Sequence, residues 1–347
     1  GVSTHFPESA HSCISISNPT KMNFKRLFYI TFILLLTILF AIASFVVIVD
    51  PYQQYRKSDM FVGSQRLENP GVAMHHDYDA VIVGSSMAMN HYPSQIDSLF
   101  GWSTINLTTM GGTDYDYCLL FPHIINQGKA RHFIWGIDFF SFSLPHTIFL
   151  SETYLYDNSL WNDYPYWLSY TSLENAINKT RNHKPVSRDS LYHFSSPVGQ
   201  EYLLKYYHRD NNAKYFKKDD FSRMTQRFDA MFDKLMPLMA DVDLYIYFPP
   251  YSILEFKMFY DYGHWQQIQD CKRHMIERML QYPNIKLYDF QKEIYICDLD
   301  EFMDLRHHSH DYNKRIIEGM AKDHCRVSHE GYIQDLQVLD SLVVNFI

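Results

Sequence analysis

Hydrophobic positions follow two patterns along this chain. From Leu27 to Val49 they form one unbroken block, LFYITFILLLTILFAIASFVVIV, 23 residues without a charge. At 1.5 Å per residue a helix of that length spans roughly 35 Å, enough to cross a bilayer. No later stretch comes close. The pattern therefore predicts one transmembrane helix over 27–49, a short tail over 1–26, and a large domain over 50–347. Lys21, Lys25 and Arg26 precede the block, whereas Asp50, Arg56, Lys57 and Asp59 follow it with little net charge. The positive-inside rule then puts the tail in the cytoplasm and the domain outside the cell membrane. A cleaved signal peptide is the alternative, because Ala41-Ile42-Ala43 is an A-x-A pattern. Phe45 to Val49 prolong the apolar run past that point, which favours an uncleaved anchor.

Beyond the anchor, short apolar runs alternate with helical periodicity. Asp79–Val83, Ser103–Leu107, His132–Gly136, Leu244–Phe248 and Ile285–Tyr288 read as buried strands, closed by Gly84, Gly111-Gly112 and Pro249-Pro250 among others. Apolar residues recur at helical spacing in Met224–Leu235, in Trp265–Met279 and from about His329 to Val344. Continuous apolar strands separated by helices predict a parallel sheet covered on both faces, an α/β fold. A long insertion, 143–225, lies between the third and fourth strands. It is rich in Tyr and Trp (Tyr154, Tyr156, Trp161, Tyr164, Tyr166, Trp167, Tyr170) and holds a basic cluster, Lys205, His208, Arg209, Lys214, Lys217 and Lys218. Two readings stand: a cap that shapes a substrate cleft, or a helical excursion with a solvated charged face.

Composition narrows the class. With 46% hydrophobic and 20% charged residues in 347, the chain is neither disordered nor of low complexity. Its net charge of −8 argues against a nucleic-acid partner, since phosphate contacts need a basic surface. The five cysteines, Cys13, Cys118, Cys271, Cys297 and Cys325, form no CxxC pair and no zinc-ligand spacing.

The sharpest local feature is Val81-Ile-Val-Gly-Ser-Ser-Met-Ala-Met-Asn90, a strand that delivers a Gly-Ser-Ser turn at its carboxyl end. Ligands of open α/β sheets bind at that end, and a serine there has backbone N–H groups nearby to hold an oxyanion. A serine nucleophile needs a base, and the base needs an orienting group. Two Asp-x-x-His spacings offer them: Asp261-Tyr-Gly-His264 and Asp304-Leu-Arg-His307. The second follows the fifth strand, in a loop expected at the same sheet edge as Ser86. His308 and His310 compete locally with His307, and the three together offer metal donors. No partner cluster stands at ligand spacing elsewhere, so no metal and no cofactor are expected.

The order of these elements resembles the SGNH, or GDSL-type, hydrolase superfamily. That resemblance implies a three-layer α/β/α flavodoxin-like fold whose first block carries the nucleophile, here Ser86 of Gly84-Ser85-Ser86. The Gly-Ser-Ser variant is similar to that of the extracytoplasmic DltD-type proteins of teichoic-acid D-alanylation. The second block looks like Asn106-Leu-Thr-Thr-Met-Gly-Gly112, with Gly111 joining Ser86 in the oxyanion hole. The last block is matched by Asp304 and His307. A set of single-pass bacterial SGNH-like membrane proteins is similar over the chain from the anchor onward, including Arg66–Gly71, Trp135–Asp138 and Phe248–Ser252. One departure stands out: where the superfamily has an Asn donor, Gly136-Ile-Asp138 puts a carboxylate. An ionised Asp138 repels an oxyanion, so it must be protonated, turned away, or used to orient another group. Asn90 and Asn106 are further candidates for contacting substrate or orienting the site.

The resemblance implies a membrane-anchored serine esterase or O-acyltransferase. Its substrate would be an acyl ester on an envelope glycan, polymer or lipid-linked donor. The alternative is a catalytically weak or inactive binding protein that works with partners in envelope polysaccharide assembly.

Overall fold

In a computed structural model, residues 1, 23–143, 150–157, 159–181, 184–190, 196–207 and 217–346 are described. His208, Arg209 and Lys214 of the basic cluster lie outside them, as do Cys13, Lys21 and the tail at 2–22. Five strands carry the fold: β1 (Ala80–Gly84), β2 (Thr104–Asn106), β3 (His132–Gly136), β4 (Asp243–Phe248) and β5 (Ile285–Asp289). They form one sheet in the order β2-β1-β3-β4-β5. Every neighbouring pair is parallel, with Val81 beside Ile105 and Phe133, Ile134 beside Tyr245, and Tyr247 beside Tyr288. Because β1 and β3 are buried on both sides, their residues apart from His132 are apolar or glycine, whereas β2 buries Thr104 and Asn106 beside Ile105.

The described helices are α1 (Phe24–Val49), α2 (Gln65–His75), α3 (Pro93–Phe100), α4 (Asp114–Asn126), α5 (Phe140–Ser143), α6 (Tyr164–Leu168) and α7 (Tyr170–Arg181), followed by α8 (Gln200–Tyr207), α9 (Lys218–Leu235), α10 (Ile253–Asp261), α11 (Trp265–Met279), α12 (His310–Ala321) and α13 (Tyr332–Asn345). Helices α3 and α12 pack together, whereas α4, α9 and α11 pack in series. Right-handed crossovers put these two groups on opposite faces of the sheet, because the chain runs leftward from β1 to β2 and rightward afterwards. The second strand is shorter than the sequence suggests. The Asn106 side chain accepts N–H and hydroxyl hydrogen bonds from Thr108 (3.1 and 2.6 Å), while Leu107 and Thr109 still donate to the Ile82 and Gly84 carbonyls of β1. One charged pair is sealed inside: Lys272 of α11 reaches Asp289 at the end of β5, 2.7 Å away, and the Gln291 amide oxygen at 2.9 Å.

Helix α1 is long and apolar enough to cross a membrane. Its residues 24–41 are exposed, and its last two turns pack on α6 and α7. There Val46 joins Tyr52, Leu155, Tyr166 and Ala176 in a small core of its own. The junction with the domain is tightly bonded. The Asp50 carboxylate accepts N–H bonds from Gln54, Tyr55 and Arg56 and the hydroxyl of Tyr166. Arg56 donates to the Val47 and Ile48 carbonyls at 2.9 Å, and Lys179 to that of Asp50 at 2.8 Å. Cations at a helix C-terminus satisfy its orphan carbonyls and oppose its dipole. Tyr154, Tyr156, Tyr166 and Trp167 of the insertion thus pack in the core at the end of α1, whereas Trp161, Tyr164 and Tyr170 are exposed.

Candidate active site

β1 ends at Gly84 with φ +142, a conformation L side chains rarely adopt. A Cβ there would lie 2.7 Å from the Gly136 carbonyl oxygen, so only glycine lets β1 and β3 close on each other at this edge. The turn then presents two serines to different partners. Ser85 is buried; its hydroxyl accepts from the Met87 N–H at 3.2 Å and donates to Asp138. Ser86 opens a single 3-10 turn and is partly exposed. It sits where the strand order reverses around β1, the place where open α/β sheets leave a crevice.

The Ser86 hydroxyl lies 2.8 Å from His307 Nε2, and His307 Nδ1 lies 2.7 Å from Asp304 Oδ2. Residues 221 positions apart in sequence therefore meet in one hydrogen-bonded line. With Asp304 as acceptor, Nδ1 carries the ring hydrogen and Nε2 accepts from Ser86. Asp304 Oδ1 also accepts the N–H groups of Arg306 and His307, each at 2.8 Å, so the loop curls around its own carboxylate. Burial pushes the Asp304 carboxyl up, but its bonds to His307 and to these backbone groups outweigh that and hold it below the ordinary carboxylate range. The loop is clamped from outside. Ser252 donates its N–H and hydroxyl to the Leu305 carbonyl. The Arg306 guanidinium pairs with buried Glu255 at 2.9 Å and stacks 3.4 Å above the Phe140 ring. This explains the run Phe248–Ser252 in structural terms: it ties the end of β4 to the histidine loop.

The rival histidines go elsewhere. Asp261 accepts the Tyr207 hydroxyl and pairs with Lys257, while His264 caps α11 with its ring 5.4 Å from Phe221. His308 is buried against the Tyr312 ring, and burial holds its pKa down to about 4. His310 faces Tyr92. The three neighbouring histidines therefore diverge. The one group of three metal-capable side chains among the described residues is Glu293, His324 and Cys325, which contains none of them.

The second block comes up beside the first. Thr109 N–H donates to the Gly84 carbonyl at 2.9 Å, and a Cβ on Gly112 would lie 3.4 Å from that same oxygen. Gly111 turns with φ +60 and is exposed. Helix α2 pins this turn through residues that sequence reasoning did not single out individually. Gln65 accepts the Met110 N–H, Arg66 donates to the Gly111 carbonyl at 3.2 Å while gripping Asp116, and Asn69 donates to the Leu107 and Thr108 carbonyls. Their signal was the run Arg66–Gly71. Asn106 is occupied within its own turn and with the Met89 carbonyl at 2.9 Å, so it orients the backbone there. Asn90 lines a shallow depression with Ser86, Met87, His307, His308 and Asn313.

Of the three fates open to Asp138, its contacts match the third. Fully buried after β3, it accepts the Ser85 hydroxyl on one oxygen and the Ser141 N–H on the other at 3.0 Å. Burial raises its pKa, and the Ser85 and Ser141 bonds offset that only in part, so it stays above the ordinary carboxylate range. The carboxylate orients the turn that carries Ser86.

No protein-family model matches this chain, and no curated protein does.

Proposed function

We propose that this protein is a membrane-anchored, extracytoplasmic serine esterase or O-acyltransferase of SGNH type. The observation that carries the reading is the line Ser86–His307–Asp304, with Ser86 partly exposed at a strand end. Ser86 attacks an acyl carbonyl while His307 Nε2 takes its proton and then passes it to the leaving alcohol. Asp304 fixes the tautomer and balances the imidazolium. The N–H groups of Ser86 and Gly111 receive the oxyanion. Water then releases the acyl group, or an acceptor hydroxyl takes it. The strand order 2-1-3-4-5 is the flavodoxin-like one, which supports the superfamily assignment. The substrate class is an acyl ester on an envelope glycan, polymer or lipid-linked donor. Fluorophosphonate probes test the assignment. They should label the wild type and not Ser86→Ala, and equal labelling of both would remove Ser86 from the chemistry.

One observation favours a second reading, an accessory protein that binds an envelope polymer without turning it over. Asp138 stands where the superfamily has an Asn donor and is engaged with Ser85. Loss of one oxyanion donor slows such enzymes about 10²–10³-fold. Full complementation of a deletion by Ser86→Ala and His307→Ala would select this reading.

A further inference from the structure

The exposed part of α1 is too short to span a bilayer alone. Between Arg26 and the first residue touching the domain lie Leu27–Ala41, fifteen residues or about 22 Å of helix. The hydrocarbon core is about 30 Å thick and takes about twenty residues. The missing length is the next five residues, 42–46, and these are the turns flanked by α6 and α7. If α1 spans, this helix pair is brought down to the edge of the hydrocarbon.

The composition of that pair suits the position. Ser159–Leu173 carries one formal charge, Asp163, which is buried and accepts the Tyr55 hydroxyl at 2.8 Å. Around it, Trp161 is 94% exposed, Tyr170 78%, Tyr164 61% and Leu160 60%. So much aromatic and aliphatic surface on a water-facing segment is unfavourable, whereas Trp and Tyr favour the bilayer interface.

We propose that α6, the turn before it and the start of α7 form a foot that rests in the lipid headgroup layer. There Leu160, Trp161, Tyr164 and Tyr170 contact headgroups and upper acyl chains. The partner is the lipid surface itself, continuous with the lipid around α1. This inference rests on the reading of α1 as a membrane anchor.

The test uses the full chain reconstituted in phosphatidylcholine vesicles, with and without acyl-chain-brominated lipid. The difference between wild type and Trp161→Phe isolates the Trp161 emission; the exposed position tolerates the change. Leu36→Trp in the Trp161→Phe background reports on α1. The expected result is that brominated lipid quenches the Trp161 component at least twofold and aqueous iodide quenches it several-fold less than free tryptophan. A Trp161 component insensitive to bromine and fully open to iodide overturns the foot. If the Leu36→Trp emission is still quenched, the anchor survives and the foot alone is lost. If neither responds to bromine, both fall.

Discussion

Replacing Ser85 with Ala probes how the site is held together without touching the three residues in line. The substitution removes the hydroxyl that donates to Asp138 and accepts from the Met87 N–H. A hydrogen bond to a charged group is worth about 1.5–3 kcal/mol, and a buried N–H left without a partner adds about 1 kcal/mol. Asp138 keeps the Ser141 N–H at 3.0 Å and the Ser141 hydroxyl at 3.3 Å, so it is weakened and not orphaned. A loss of about 2–4 kcal/mol follows. At about 1.6 °C per kcal/mol for a domain of roughly 300 residues, the melting temperature drops by roughly 3–6 °C. A double-mutant cycle with Asp138→Ala assigns the loss to this pair, since residues in direct contact show coupling and distant ones add. Thermal unfolding of the four proteins in the same detergent gives the coupling, expected to exceed about 1 kcal/mol. Additivity within about 0.5 kcal/mol would refute the claim that Asp138 acts through Ser85.

Further outcomes follow from other contacts. Burial holds His76 to a pKa of about 4, His91 to about 3 and His308 to about 4. All three are neutral in the fold but take a proton near 6.5 once unfolded, so their stabilisation is complete above that pH and is lost as pH falls toward 4. Glu68, raised by burial to about 7, opposes them over the same range, so the unfolding free energy from urea titrations should fall between pH 6.5 and 5 by up to ~3 kcal/mol per pH unit, and a pH-independent value would contradict this burial. Asp304→Asn should slow fluorophosphonate labelling about 10²–10⁴-fold with the fold unchanged, because His307 loses its tautomer; an unaltered rate would release Asp304 from the mechanism. Lys272→Met leaves the Asp289 charge sealed inside and should destabilise by about 3–5 kcal/mol in calorimetry, a clear break from a surface lysine. Gly84→Ala forces a Cβ against the Gly136 carbonyl at φ +142 and should destabilise by at least ~2 kcal/mol; wild-type stability would deny the close approach.

The sheet was legible because its strands are buried on both sides and read as continuous apolar runs; His132–Gly136 falls where the pattern put it. The meeting of Ser86 with the Asp304 loop followed from strand ends sharing an edge. The choice between two Asp-x-x-His pairs did not follow from spacing. It followed from position, since the loop after β5 carries Asp304 and His307 to the edge that holds Ser86. The role of Asp138 was equally hidden, since spacing gives its place after β3 but not that Ser85 and Ser141 converge on it. The Tyr- and Trp-rich insertion reads alike as a cap or an excursion. Its packing on α1 depends on Val46, which the hydropathy pattern assigns wholly to the anchor.

The bonds joining α1 to the domain leave no slack between them. Arg56 and Lys179 lock the final carbonyls of the helix, and Tyr166 and three backbone N–H groups hold Asp50. A protein on a floppy stalk can sweep a hemisphere and search distant polymer for its target. With α1 anchored as proposed, this one would behave as a lever with its fulcrum in the bilayer, and Ser86 would travel at constant altitude and swing only when the helix tilts. Its hunting ground would then be a flat sheet, and molecules that diffuse laterally within that sheet would be the ones it meets.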